Sequence, residues 1–259
     1  MFLETEPGVN INVKTYGKKE NPAVIMLHGI GADYEMFLPQ IDEFVKEKFF
    51  LIVPEMRGHG KSSKVNKLTL DDFSYDINEI LKYFDIDKAI VIGVSMGGVI
   101  AQRFVVDFPE KVNKLIIVDS FGELSTLKEK MIGEFQVIGF NIFNFLPKKL
   151  GATLFASAYK GVSDKAQEYF REKSLNIDYN QMILARKAIN KIDIINKLKD
   201  IEVDSLVIVG GNIEVMVKAS NKIANALNNS RLIIIENSMD PTNLVFPEQF
   251  NKEVLKFIK

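Results

Sequence analysis

Cysteine is absent from this chain, so neither a disulfide nor a thiolate nucleophile is available to it, and nothing in its composition requires an oxidising compartment. Charge of one sign is also missing. Lysine and arginine number 33 against 34 aspartates and glutamates, and a formal net charge of −1 gives no general electrostatic reason to bind nucleic acid or an anionic membrane. Long apolar runs are lacking as well: the first residues have no basic start followed by an apolar stretch, and no segment has the length and apolarity to cross a bilayer. The expectation is a soluble, cytoplasmic protein whose partner is a small molecule. Histidine is the scarcest reactive residue, with only His28 and His59. What is present in quantity is apolar: 47% of 259 residues are hydrophobic, enough for one substantial core.

Short β-type runs alternate with amphipathic stretches of helix length, which predicts an α/β domain with a mostly parallel sheet covered on both faces. Strands are expected at 9–15, 23–27, 50–53, 89–92, 115–118, 206–209 and 231–235, and helices at 34–46, 70–84, 96–107, 217–227 and 247–258. Residues 121–188 break the rhythm. They read as mainly helical and rich in large apolar side chains such as Phe135, Phe140, Phe143, Phe155 and Tyr159. Their position between strands suggests a lid inserted over the carboxyl edge of the sheet, with residues 1–120 and 189–259 forming the core domain.

The chemistry-bearing feature is Gly93-Val94-Ser95-Met96-Gly97, which follows an apolar strand and opens a helix. A Gly-x-Ser-x-Gly turn in that setting exposes a serine hydroxyl at a strand end, and the flanking glycines permit strand and helix to pack closely. Upstream, Leu27-His28-Gly29-Ile30-Gly31 closes another strand with a glycine-flanked loop. Acyl transfer needs two N–H donors aimed at a developing oxyanion, and the natural pair is the amides of Ile30 and Met96. His28, Gly29 and Phe121 are expected beside them in an apolar pocket.

Together with Pro54-Glu55-Met56-Arg57-Gly58-His59-Gly60-Lys61-Ser62, these motifs make the chain resemble the α/β-hydrolase superfamily, specifically its small lidded carboxylesterases. The resemblance runs over essentially the whole chain and implies Ser95 as nucleophile, Ile30 and Met96 as oxyanion amides, and no cofactor or metal. Glu55 stands where the family usually has aspartate, and Arg57 and His59 are expected to organise that loop. The resemblance also implies an acid after the penultimate strand and a histidine after the last. Those positions hold Ile213, with Glu214 one place off, and Asp240. A carboxylate has an ordinary pKa near 3.9 against about 6.5 for imidazole, so Asp240 is the weaker base unless burial raises it. Asp119 sits where some relatives place the acid, but an acid with no imidazole to orient has no triad role, so it reads as a strand-end residue capping a turn.

The expectation is therefore a catalytically impaired relative of the ester hydrolases, either a natural pseudoenzyme or an altered enzyme, in which the serine and oxyanion loop are retained and the general base and acid are missing. Loss of such a base costs on the order of 10⁶ in turnover, while the oxyanion hole and binding retain roughly 10³–10⁴ over water. The alternatives are an active serine esterase with a rearranged base, and a non-enzymatic module that binds a small acyl compound or a protein.

Overall fold

A computed structural model describes residues 1–259. Eight strands form one sheet: β1 (Phe2–Glu6), β2 (Val9–Tyr16), β3 (Ala23–Leu27), β4 (Phe50–Pro54), β5 (Ala89–Val94), β6 (Val112–Val118), β7 (Ser205–Gly210) and β8 (Ser230–Ile235). Their order is β1-β2-β4-β3-β5-β6-β7-β8, with β2 antiparallel to both β1 and β4 and all other pairs parallel. The chain moves outward from β3 to β4, then crosses back to place β5 on the other side of β3. That reversal is the point at which open α/β sheets form a crevice beyond the carboxyl ends of their strands.

The central strands are apolar without interruption because both faces are covered. Alternate residues enter different cores: Ile25, Leu27, Val91, Leu115 and Ile117 join one, while Val24, Met26, Ile90, Ile92 and Ile116 join the other. The first core is closed by α2 (Leu70–Tyr83) and α3 (Met96–Asp107), through Phe73, Ile77, Ile100 and Phe104. The second is closed by α1 (Leu38–Lys46), through Ile41 and Phe44, and by the C-terminal helix Pro247–Ile258, through Phe250 and Val254. Each such fully buried side chain contributes roughly 1.5–3 kcal/mol.

Between β6 and β7 lie α4 (Leu127–Phe145), α5 (Lys148–Ser157), α6 (Asp164–Ser174), α7 (Tyr179–Ile189) and the single turn α8 (Ile195–Leu198). Beyond β7 come α9 (Glu214–Ala226), the short α10 (Thr242–Val245) and α11, the C-terminal helix Pro247–Ile258. Helix α4 is apolar on two sides: Ile132 and Phe140 face a cavity, whereas Leu127, Phe135 and Phe145 are exposed.

Four sequence expectations are corrected here. The edge strand β1 was not foreseen, because only Leu3 and Thr5 of Phe2–Glu6 are buried and two glutamates dilute the pattern. The segment expected as one helix at 34–46 splits into a 3₁₀ turn at Tyr34–Phe37, capped by the Asp33 side chain, and α1, where Pro39 occupies the first turn. Helix α9 starts at Glu214, three residues early, with Ile213 as its N-cap residue. Strand β6 starts at Val112 rather than Leu115.

Candidate active site

Ser95 sits between β5 and α3 at φ 55° and ψ −113°, a left-handed backbone conformation that is costly for a non-glycine residue. Its surroundings hold it there. The Ser95 N–H donates to the Val118 carbonyl at 2.8 Å, and the Ser120 hydroxyl donates to the Ser95 carbonyl at 3.0 Å. A Cβ on Gly97 would collide with the Leu27 carbonyl, and one on Gly93 with the Gly97 carbonyl, so glycine at both places is what lets α3 lie against β3 and β5.

The serine hydroxyl donates to Asp240 Oδ2 at 2.7 Å, across 145 residues of sequence. Asp240 is partly buried, at the wall of a cavity. Burial first, and then the negative charge of Asp119, push its carboxyl up to about 8, against the opposing pull of the Ser95 hydrogen bond and the Arg186 charge. Asp119 ends β6 at φ 46° and is 1% exposed. It accepts from the Gly210 N–H at 2.8 Å, from the Thr242 N–H at 2.7 Å and from the Thr242 hydroxyl at 3.1 Å. Burial raises the Asp119 carboxyl too, but these three donors favour its ionised form, so Asp240, with one donor, is where the pair keeps its proton near neutrality. Asp119 thus ties the ends of β6 and β7 to the start of α10, and it also sets the electrostatics of Asp240.

Neither histidine reaches the serine. His28 Nδ1 lies 2.7 Å from the Gly29 carbonyl, and Nε2 accepts the Met56 N–H at 2.9 Å, so both ring nitrogens are engaged. His59 Nδ1 lies 3.0 Å from the Arg57 carbonyl, and the two rings meet edge-on with centroids 5.1 Å apart. Burial lowers His28 to about 4; burial and the neighbouring His28 lower His59 to about 3, and both stay neutral. The rest of that loop is equally tied. Glu55 accepts from Asn12 Nδ2 at 2.9 Å, and Arg57 pairs with Asp76 at 2.7 Å and Glu6 at 2.6 Å.

Ser95 and Asp240 open on a cavity of about 300 Å³ lined mainly by hydrophobic side chains from the β3 loop, from α4 and α5, and from α9. Gly29, Ile30 and Phe121 line it; His28, expected among them, does not, because its ring is turned into the Gly29–Met56 bonding just described. The β3 loop lies close to the serine: a Cβ on Gly29 would touch Ser95 Cβ at 3.4 Å. Met96 is the first residue of α3, so its amide is among those a helix leaves without an intrahelical acceptor. Ile213 stays outside the cavity, although Val215 and Met216 of the same helix line it.

A family model described as the alpha/beta hydrolase fold matches residues 22–245. The chain belongs to the alpha/beta hydrolase family. Among curated alpha/beta hydrolase relatives, 3-oxoadipate enol-lactonase 2 of Acinetobacter baylyi is 32% identical over 121 residues, 46% of this chain and 45% of that protein, so the match spans less than half of either. The 3-oxoadipate enol-lactonase 1 of the same organism is 22% identical over 210 residues, 81% of this chain and 78% of the relative. The structure of an esterase from Exiguobacterium antarcticum superposes with a TM-score of 0.88 at 22% identity, covering 100% of this chain and 98% of the other. A hydrolase from Pseudomonas aeruginosa PA01 gives 0.89 at 22% identity over 100% and 97% of the two chains. At such identities the structural likeness speaks for the fold alone.

Two features of this alpha/beta hydrolase went unread in sequence. Asp119 looked like a turn residue and is one, but its influence on Asp240 depends on β6 and the β8–α10 connection ending at the same place. Arg186 was not singled out. The available signal was a lone guanidinium in Met182-Ile183-Leu184-Ala185-Arg186, a run otherwise suited to burial.

Proposed function

We propose that this chain is a carboxylic-ester hydrolase in which Ser95 is the nucleophile and the Asp240 carboxylate, rather than an imidazole, accepts its proton, leaving turnover impaired at neutral pH and rising with alkalinity. The carrying observation is the 2.7 Å contact from Ser95 Oγ to Asp240 Oδ2, within the reach a general base requires. A carboxyl pushed up to about 8 is a stronger base, once ionised, than an ordinary histidine, but only roughly a tenth of it is ionised at pH 7.

In this reading Ser95 Oγ attacks the ester carbonyl while its proton passes to Asp240. The oxyanion is received by the Ile30 and Met96 amides, and protonated Asp240 returns the proton to the departing alkoxide. Water then attacks the acyl-serine ester, assisted by the same carboxylate, and releases the acid with Ser95 restored. Neither Ile213 nor Glu214 takes part. Asp119 acts through Asp240 by keeping its basicity high. Residues 121–188, which carry helices α4–α6 and all but the last residue of α7, serve as the lid and enclose a small apolar acyl or ester-like molecule. That relatives are named as esterases and enol-lactonases agrees with an ester bond as the target. A second reading, a pseudoenzyme that binds such a molecule without turning it over, is favoured by the same protonated state of Asp240 at neutral pH.

Hydrolysis of a short-chain nitrophenyl ester separates the two. Weak activity that climbs through the alkaline range and disappears in Ser95→Ala supports the hydrolase. Activity that is flat with pH, or that survives the replacement, overturns it. The double replacement Ile213→Asp with Asp240→His is expected to raise neutral-pH activity at least about tenfold, since an ordinary imidazole is largely in its basic form at pH 7, where Asp240 is roughly a tenth ionised.

A further inference from the structure

Arg186, on α7, is 8% exposed and lines the same cavity as Ser95 and Asp240. Its Nε is enclosed with no hydrogen-bond partner, and the guanidinium enters none of the ion pairs that the other buried or half-buried arginines make. The contrast with Arg57 is direct: that side chain is as deeply buried but is held by two carboxylates at 2.7 and 2.6 Å. Buried charges are ordinarily paired, because an uncompensated one carries its whole desolvation cost. Arg186 instead lies against the Phe121 ring, its Cζ 5.3 Å from the centroid, a contact that orients the guanidinium plane without neutralising it. Burial, against the weaker attraction of the Asp240 and Glu134 carboxylates, lowers its pKa to about 10, which still leaves it charged at neutral pH, and the neighbouring Asp240 is then mostly protonated.

We propose that Arg186 is a recognition site for a carboxylate on the substrate, so that the ester taken by this cavity is small and bears one free carboxylate besides the bond to be cleaved. This rests on the hydrolase reading for the ester, but not for the carboxylate. A planar fork matches a carboxylate in a bidentate fashion, and a monoanion balances one guanidinium. A dianionic phosphate fits worse, since Asp119 and Glu129 line the same cavity and would repel its second charge. The cavity volume of about 300 Å³ lies at the low end for ligand sites and suits a short acid.

The test uses monomethyl glutarate, a monoanion, and its neutral counterpart dimethyl glutarate as probes, with calorimetry on Ser95→Ala protein so that no turnover intervenes. The monoanion is expected to bind at least tenfold more tightly than the diester, and Arg186→Met is expected to weaken it about a hundredfold, with Arg186→Lys retaining part of the affinity. Equal binding of the two probes, which requires no substituted arginine to measure, overturns the proposal; so does monomethyl glutarate affinity indifferent to Arg186→Met in a protein that still folds. Hydrolysis of mono-nitrophenyl glutarate against nitrophenyl butyrate then separates the two claims. Arg186-dependent binding of monomethyl glutarate with neither ester cleaved sinks the hydrolase and leaves the carboxylate site standing. Cleavage of both esters with a ratio unmoved by Arg186→Met makes the arginine a counterion of Asp240 and overturns its role in recognition.

Discussion

Replacing Asp240 by asparagine is expected to make the protein gain stability relative to the parent as the pH is raised. In the fold the Asp240 carboxyl keeps its proton up to about pH 8, whereas in the unfolded chain it releases it near the ordinary value of about 3.9. Between those values the folded state binds more protons, so stability is full below the unfolded pKa and is lost as pH rises toward the folded one. Each unit in that window costs roughly 1.4 kcal/mol, so from pH 5 to pH 8 the charge on this one group removes roughly 4 kcal/mol, a large share of a typical domain's stability. Asparagine has nearly the shape of the protonated acid and cannot ionise. His28 and His59 push the other way: each is held neutral with its pKa depressed, so each contributes stability above about pH 6.5 that is lost as pH falls toward 4 and 3. They are common to both proteins and cancel in the difference. The measurement is urea unfolding of the parent and Asp240→Asn at pH 5 and pH 8. The substituted protein should gain on the parent by roughly 4 kcal/mol between the two. A difference that stays constant with pH would show that no proton is trapped beside Ser95, and the account of Asp240 as the serine's partner would lose its energetic basis.

Asp119→Asn removes the charge that helps to hold Asp240 protonated, so the pH–rate profile of ester hydrolysis should move to lower pH; a profile that stays in place would confine Asp119 to its bonds with Gly210 and Thr242. Gly97→Ala should destabilise the fold by several kcal/mol and abolish activity, because the new methyl meets the Leu27 carbonyl rather than a movable side chain, and thermal melting checks it. Arg57→Leu leaves Asp76 buried without its cation, which should cost roughly 3–5 kcal/mol in urea unfolding although the loop lies away from the serine.

Local chemistry alone wrote the central strands, the elbow at Ser95 and the absence of an imidazole near it. Apolar runs bounded by glycine name β3 and β5 wherever they stand, a Gly-x-Ser-x-Gly turn between strand and helix admits few conformations, and a chain with two histidines on distant loops cannot be supplied with a third. The edge strand β1 escaped because a half-exposed edge needs little pattern, and the break before α1 because Pro39 is tolerated within a first helical turn and so marks no boundary. Only the tertiary structure decided which group meets the Ser95 hydroxyl. Asp240 and Asp119 are unremarkable as sequence, since a carboxylate's basicity depends on desolvation and neighbouring charge, which long-range folding supplies. The same holds for Arg186: its type is visible in α7, but its lack of a salt-bridge partner becomes a property only when the cavity closes around it.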